Sequence, residues 1–190
     1  EGRIIEKTFL NIIARNTERL MHLVSDLLDL SFIESGAPLQ KEQIITEEIT
    51  SRVLKQLHNN FLTKNQKVET TFNVQTIHAD SHRLEQVLVN LLDNANKYTP
   101  SGGLIQVCWN QDHNGISLQI DDNGSGISEK HLPRLFERFY RVDKSRAREQ
   151  GGTGLGLAIV KHIMQRHDGS VTVSSKPGNG TVFTCTFPQK

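Results

Sequence analysis

The chain has 190 residues, 22 basic against 21 acidic side chains and a net charge of +1. That length allows one ordinary domain with a short appendage, large enough to bury a core without a disulfide or metal staple. The even charge argues against nucleic acid as the main partner, which asks for a strongly basic face, and the sequence has no run of roughly 18 apolar residues to cross a membrane.

From about Arg3 to Glu34 the pattern is helical, with no Pro and no interior Gly. Phe9, Ile13, Asn16, Leu20, Leu23, Leu27 and Leu30 step alternately by four and three, a heptad seam. Ile12, Val24 and Leu28 widen it into a stripe suited to a helical bundle. Such a rod of about 50 Å cannot bury that face without partner helices. Ser35-Gly36-Ala37-Pro38 ends it, with Gly placed for a C-terminal cap and Pro blocking continuation. We place a domain boundary here, with residues 1–35 a bundle helix and residues 36–190 a globular domain.

Beyond the boundary, a helix is predicted over 46–64, carrying Ile49, Val53, Leu54 and Leu57 on its apolar side. Strands follow at 68–73 and 76–79, then a helix over 81–97 with Leu84, Val87, Leu88, Leu91 and Leu92 buried. Strands recur at 104–110 and 116–121, and a charged stretch with a short helix leads to Gly156. A helix over 157–167 and strands at 170–175 and 181–187 complete the chain. This order predicts an α+β fold, an α/β sandwich with three helices on one face of a mixed sheet. Cys108 and Cys185 sit in strand-like apolar runs without neighbours at metal-ligand spacing, so free buried thiols are expected over a disulfide or zinc.

Asn90, Asn94 and Lys97 fall at i, i+4 and i+7 and share one helix face. Neutral amide oxygens suit Mg²⁺, which takes few protein ligands beside substrate phosphates, and Lys97 can neutralise a phosphate. Alone, the same spacing also describes a solvated polar face. Asp122-Asn-Gly124-Ser-Gly126-Ile127 follows a strand ending in Leu118 and Ile120. A carboxylate there can accept a hydrogen bond from an exocyclic amine such as that of adenine, and the glycines let backbone approach a flat ring. Alone, Asp-Asn-Gly is a turn signal.

Gly151-Gly152-Thr153-Gly154-Leu155-Gly156-Leu157 runs into a helix, and a glycine-rich loop at a helix N-terminus offers backbone N–H groups and a dipole to an anion. The spacing is GxGxG, neither the dinucleotide GxGxxG nor a P-loop. Before it lies a charged stretch interleaved with Phe136, Phe139 and Tyr140. A segment this long without a core pattern reads either as a lid, whose cations would meet a terminal phosphate, or as a surface loop with no role.

Together these segments resemble the catalytic ATP-binding domain of sensor histidine kinases, within the Bergerat-fold ATPases. Residues 90–100 look like the N box, 122–127 the G1 box, 135–141 the F box and 152–157 the G2 box, with Gly178-Asn-Gly180-Thr181 as a final glycine turn. Residues 19–34 resemble the second helix of the dimerisation and phosphotransfer hairpin. The resemblance implies Mg²⁺ bound through Asn94 and adenine read by Asp122. It also implies phosphates held by Lys97, Gly154, Leu155 and Gly156, with Tyr98 lining the pocket. Asn90, Gly124, Gly126, Ile127, Tyr140, Gly152, Thr153, Leu157 and Thr181 complete the implied nucleotide site. Arg141, and after it Lys144, would approach the γ-phosphate. Asn90 stands where hydrolysing relatives such as gyrase put a water-activating Glu, and an amide is a poor general base. Transfer to a side chain rather than to water is therefore expected.

The family's phosphoacceptor lies in a His-Glu-x-x-x-Pro type motif, and none of the eight histidines here stands in one. His22 lies between the seam residues Leu20 and Leu23 and is not expected to be the acceptor, while His131, His162 and His167 read as surface or capping residues. The chain is expected to begin inside a larger protein, after the first hairpin helix. The implied partners are a response-regulator receiver domain and a second copy, which would form a homodimer through the bundle. The implied location is the cytoplasmic portion of a sensor that is anchored in the membrane, if at all, by segments outside this chain. The competing readings are a nucleotide-binding regulatory module without kinase activity and a Bergerat-fold ATPase.

Overall fold

The structure, a computed structural model, describes residues 2–142 and 152–188. Helix α1 (Gly2–Glu34) is one unbroken rod of 33 residues. Along most of it the predicted stripe faces outward, with Ile13, Leu20, Val24, Leu27 and Leu28 exposed. The side chains of Phe9 and Ile12 lie outside the described residues. Near the C-terminal end the seam turns into the protein, where Leu30 and Ile33 are buried in the main core. Gly36 follows at φ +81°, the left-handed cap geometry its position predicts.

Strand β1 (Lys41–Ile45) was not anticipated. It pairs antiparallel with β3 (Thr76–Asp80), Ile44 opposite Ile77, as a two-stranded sheet of its own. The predicted helix over 46–64 is two helices, α2 (Thr46–Gln56) and α3 (His58–Thr63), broken at Leu57. No Gly or Pro marks the break, which lets Leu57 and Phe61 both enter the core.

The main sheet comprises β2 (Lys67–Phe72), β4 (Leu104–Asp112), β5 (Gly115–Asp122), β6 (Ser170–Ser175) and β7 (Thr181–Phe187), in the order β2-β4-β5-β7-β6. The β2–β4 pair is parallel and the others antiparallel, which makes the mixed sheet expected from sequence. Alternation on β4, β5 and β7 sends Ile105, Val107, Trp109, Leu118, Ile120, Phe183 and Cys185 to one face. There they meet the apolar sides of α2, α4 (Ser81–Tyr98) and α5 (Gly156–Arg166). Trp109 carries its indole N–H into this layer and donates to Thr50 Oγ1 at 3.0 Å. Asp80 caps α4 by accepting from the Arg83 N–H at 3.1 Å.

Of the two roles expected for His167, surface or capping, it takes the second, as the C-cap residue of α5. It is buried, and its Nε2 accepts the Asp80 N–H at 3.1 Å, so Nδ1 carries the proton and donates to the Ile163 carbonyl at 2.9 Å. Burial pushes its pKa down, which keeps the ring neutral as a cap joining α5 to the start of α4. Both cysteines are free, Cys185 buried and Cys108 half-buried. Among the described residues no helix is long and apolar enough to cross a membrane.

Candidate functional site

The same alternation that buries Leu118 and Ile120 makes Asp122 the last inward-facing position of β5, in register with Ile105 on one side and Thr181 on the other. Its carboxylate is therefore buried at the sheet's end, 5% exposed. Oδ1 accepts the Gly124 N–H at 2.9 Å, and the backbone of Thr181 supplies a second hydrogen bond. Burial pushes its pKa up from 3.8 to about 6. The Gly124 bond pulls it back, the Asp121 charge adds to the rise, and the Thr181 bond opposes it.

Three glycines here are sterically required, Gly126 among them because at φ +66° a Cβ would strike the Lys176 carbonyl. A Cβ on Gly124 would lie 2.6 Å from both Asp122 Oδ1 and the Tyr98 carbonyl, and one on Gly180, at φ +80°, would strike the Asp122 carbonyl. Ser175 ties the turn together, a residue the sequence reading missed. Its Oγ accepts the Ile127 N–H at 2.8 Å, donates to the Gly180 carbonyl at 2.7 Å and lies 3.0 Å from Thr181 Oγ1. The signal available was its register, directly opposite Thr181 across β6 and β7.

Asn90, Asn94 and Lys97 lie half-buried on the face of α4 that the apolar residues leave free. The Asn90 amide donates to the Gln86 carbonyl of its own helix at 2.8 Å. That turns Oδ1 toward Gly156, where a Cβ would collide with it. Lys97 holds Asp93 at 2.6 Å, a partner one turn back that the motif alone did not suggest. Tyr98 ends the helix with its side chain 55% exposed, and its carbonyl abuts Gly124.

The glycine loop closes the other side. Gly154 sits at φ +77°, and its carbonyl accepts the Phe139 N–H at 2.9 Å. Arg141 runs along the loop, its Cγ 3.3 Å from where a Cβ of Gly154 would stand and its Nη2 3.7 Å from that of Gly152. Leu155 precedes α5 as its N-cap residue and makes no side-chain cap bond, so the first turn, opened by Gly156, keeps N–H groups for an anion. Thr153 Oγ1 accepts the Leu155 N–H at 3.2 Å, and Leu157 packs against the core.

Tyr140 is engaged elsewhere. Its hydroxyl meets His131 Nδ1 at 2.7 Å, and the Arg134 guanidinium lies 4.4 Å from its ring centre, so it braces the 3-10 turn Glu129–Arg134. Phe136 stands edge-on against Phe183, ring centres 6.4 Å apart. Lys144 and Gly151 lie outside the described residues. Among the site residues that are described, Asn90 and Gly156, Tyr98 and Gly124, and Arg141 and Gly154 meet in pairs, which joins the segments around one end of the sandwich.

A buried carboxylate with close-approach glycines, set beside a glycine loop at an uncapped helix head on this sandwich, defines an ATP-binding domain of the Bergerat type. Residues 79–190 match the family described as histidine kinase-, DNA gyrase B-, and HSP90-like ATPase, and the chain belongs to it. It is similar to the sensor histidine kinase WalK of Bacillus subtilis, 37% identical over 197 aligned positions covering 100% of this chain and 32% of WalK. It is also similar to the phosphate regulon sensor protein PhoR of Pseudomonas aeruginosa, 40% identical over 172 positions covering 89% of this chain and 39% of PhoR. Among solved structures, full-length ShkA in complex with AMPPNP superposes with a TM-score of 0.82 at 25% identity, over 96% of this chain and 38% of ShkA. The chain thus spans roughly a third to two fifths of the length of these relatives.

Proposed function

We propose that this chain is the ATP-binding catalytic portion of a sensor histidine kinase. It would pass the γ-phosphate of ATP to a histidine outside residues 1–190, for relay to an aspartate of a response-regulator receiver domain. The observation that carries this reading is Asn90. Its amide is bound into its own helix and faces the glycine loop, at the position where a hydrolase of this fold needs a base. An amide cannot take a proton from water, so the bound nucleotide is preserved for another acceptor. The names of WalK and PhoR support the same reading.

In this reading the ionised Asp122 accepts the adenine amine, and Gly124, Gly126 and Ile127 lie along the ring, with Thr181 fixing the carboxylate from behind. The N–H groups of Gly154, Leu155 and Gly156 receive the phosphates. Lys97 turns from Asp93 to share their charge, and Arg141 reaches the γ-phosphate. Tyr98 and Gly152 border the pocket, and Tyr140 steadies the lid. Among the described residues no three His, Cys, Asp or Glu gather as metal ligands. A single amide donor fits Mg²⁺, which keeps most of its waters and leans on phosphates, so Asn94 would hold it. When bound, Mg²⁺ neutralises phosphate charge.

An acceptor imidazole placed in line forms the N–P bond as the bridging P–O bond breaks, and the electron pair leaves on ADP. Catalysis is then mostly positioning and charge neutralisation. The exposed stripe of α1 would pair with a second copy, and any membrane anchor would lie outside this chain. To test the function, the protein extended to include the proposed acceptor helix is incubated with Mg²⁺ and γ-labelled ATP. Label on the protein that survives base and is lost in acid is the expected result. Label released only as free phosphate would favour an ATPase, and ATP left bound and intact a regulatory module.

A further inference from the structure

Helix α1 reaches the glycine loop directly. Half-buried Asp26 accepts on Oδ2 a 2.6 Å hydrogen bond from the Thr153 hydroxyl. That hydroxyl also accepts the Leu155 N–H at 3.2 Å, one of the donors assigned above to phosphate. Lys97, assigned to phosphate too, acts electrostatically on the same carboxylate. A negative side chain carried by α1 therefore stands among the groups that would receive a polyphosphate.

Its setting shows that it is held there. Burial pushes the Asp26 carboxyl above the usual carboxylate range, and Asp29 adds to this, whereas the Thr153 bond and the charges of His22 and Lys97 pull it back. Around it α1 is fastened to the catalytic layer. Gln86 donates to Asp29 Oδ2 at 3.0 Å, Arg166 donates to the Ile33 carbonyl at 2.9 Å, and Glu34 pairs with Arg138 at the lid.

We propose that Asp26 is a selectivity residue: with α1 docked, its charge opposes the terminal phosphate, so the docked chain favours ADP over ATP. The inference rests on the nucleotide reading above. Like charges brought together where water is partly excluded repel strongly, and ADP lacks the phosphate that would meet this one. Linkage makes the effect reciprocal, so binding of ATP weakens the hold of the glycine loop on α1. In the proposed kinase cycle, docking of α1 would follow transfer, when ADP occupies the site, and ATP would release it.

The test uses the 190-residue chain and titration calorimetry with ADP and with AMPPNP, a triphosphate that is not turned over. Wild type is compared with Asp26→Asn, which keeps shape and removes charge, and with Asp26→Ala. Glu48→Gln, an exposed acid on α2, serves as a control for net charge. In both Asp26 variants AMPPNP is expected to tighten about fivefold relative to ADP, the lower end of two-site coupling, with little change in Glu48→Gln. Equal weakening or equal tightening of both nucleotides would reduce Asp26 to a structural role and overturn the proposal. So would a ratio unchanged from wild type. If wild type bound neither nucleotide, the nucleotide reading itself would fall, an outcome distinct from an unchanged ratio.

Discussion

Burial holds the Asp122 carboxyl with its pKa raised from 3.8 to about 6, and replacing it by Asn exposes the cost. A raised carboxyl pKa means the folded state disfavours the charge. The stability this group contributes is complete below pH 3.8 and is lost as pH rises through about 6. At 1.36 kcal/mol per pKa unit the full loss is about 3 kcal/mol, of which about 2 kcal/mol falls between pH 4.5 and 7.5. Other groups titrate in this range, among them His167, which opposes the trend because its pKa is lowered. The quantity to follow is therefore the difference between wild type and Asp122→Asn, from urea unfolding at several pH values. That difference should move against wild type by about 2 kcal/mol from pH 4.5 to 7.5, while the variant loses nucleotide binding. A flat difference, or one moving the other way, would mean the carboxylate is not penalised by burial and would remove the physical basis for treating it as a reader held in reserve.

Three further perturbations bear on the same site and core. Asn90→Glu places a base at the face of the glycine loop and should raise phosphate release from ATP by roughly tenfold or more, measured by a coupled phosphate assay. Gly180→Ala combines a left-handed backbone with a collision at the Asp122 carbonyl. It should cost about 2 kcal/mol or more in denaturant unfolding and weaken nucleotide binding with it. Thr50→Val leaves the buried Trp109 indole N–H without its acceptor. That should cost about 1–3 kcal/mol, with no change in nucleotide affinity once folded.

The features legible in the sequence are those decided by local periodicity. Leu118, Ile120 and Asp122 share a phase of two, so a strand that buries the first two must bury the third. Asn90, Asn94 and Lys97 share a helix face for the same kind of reason. Strand β1 escaped because only Ile44 of its five residues is buried, which leaves no alternation to detect. The break at Leu57 escaped because it is made by tertiary packing, with no Gly or Pro to announce it. For His167 the capping role is legible from its place at a helix end, but its burial is not, because its acceptor role depends on the Asp80 N–H, 87 residues away. The bond from Thr153 to Asp26 spans 127 residues and follows from how α1 lies on α5, which no pattern within α1 encodes.

The measurement that reaches the central claim most directly is residue-by-residue NMR mapping of the amide signals of the chain as ATP and Mg²⁺ are added. The account predicts saturable shifts together at Asn94, Lys97, Tyr98, Gly124, Gly126, Gly154 and Gly156, abolished in Asp122→Asn. Shifts confined to one of these segments, or centred on another part of the surface, would contradict the claim that they form a single nucleotide site.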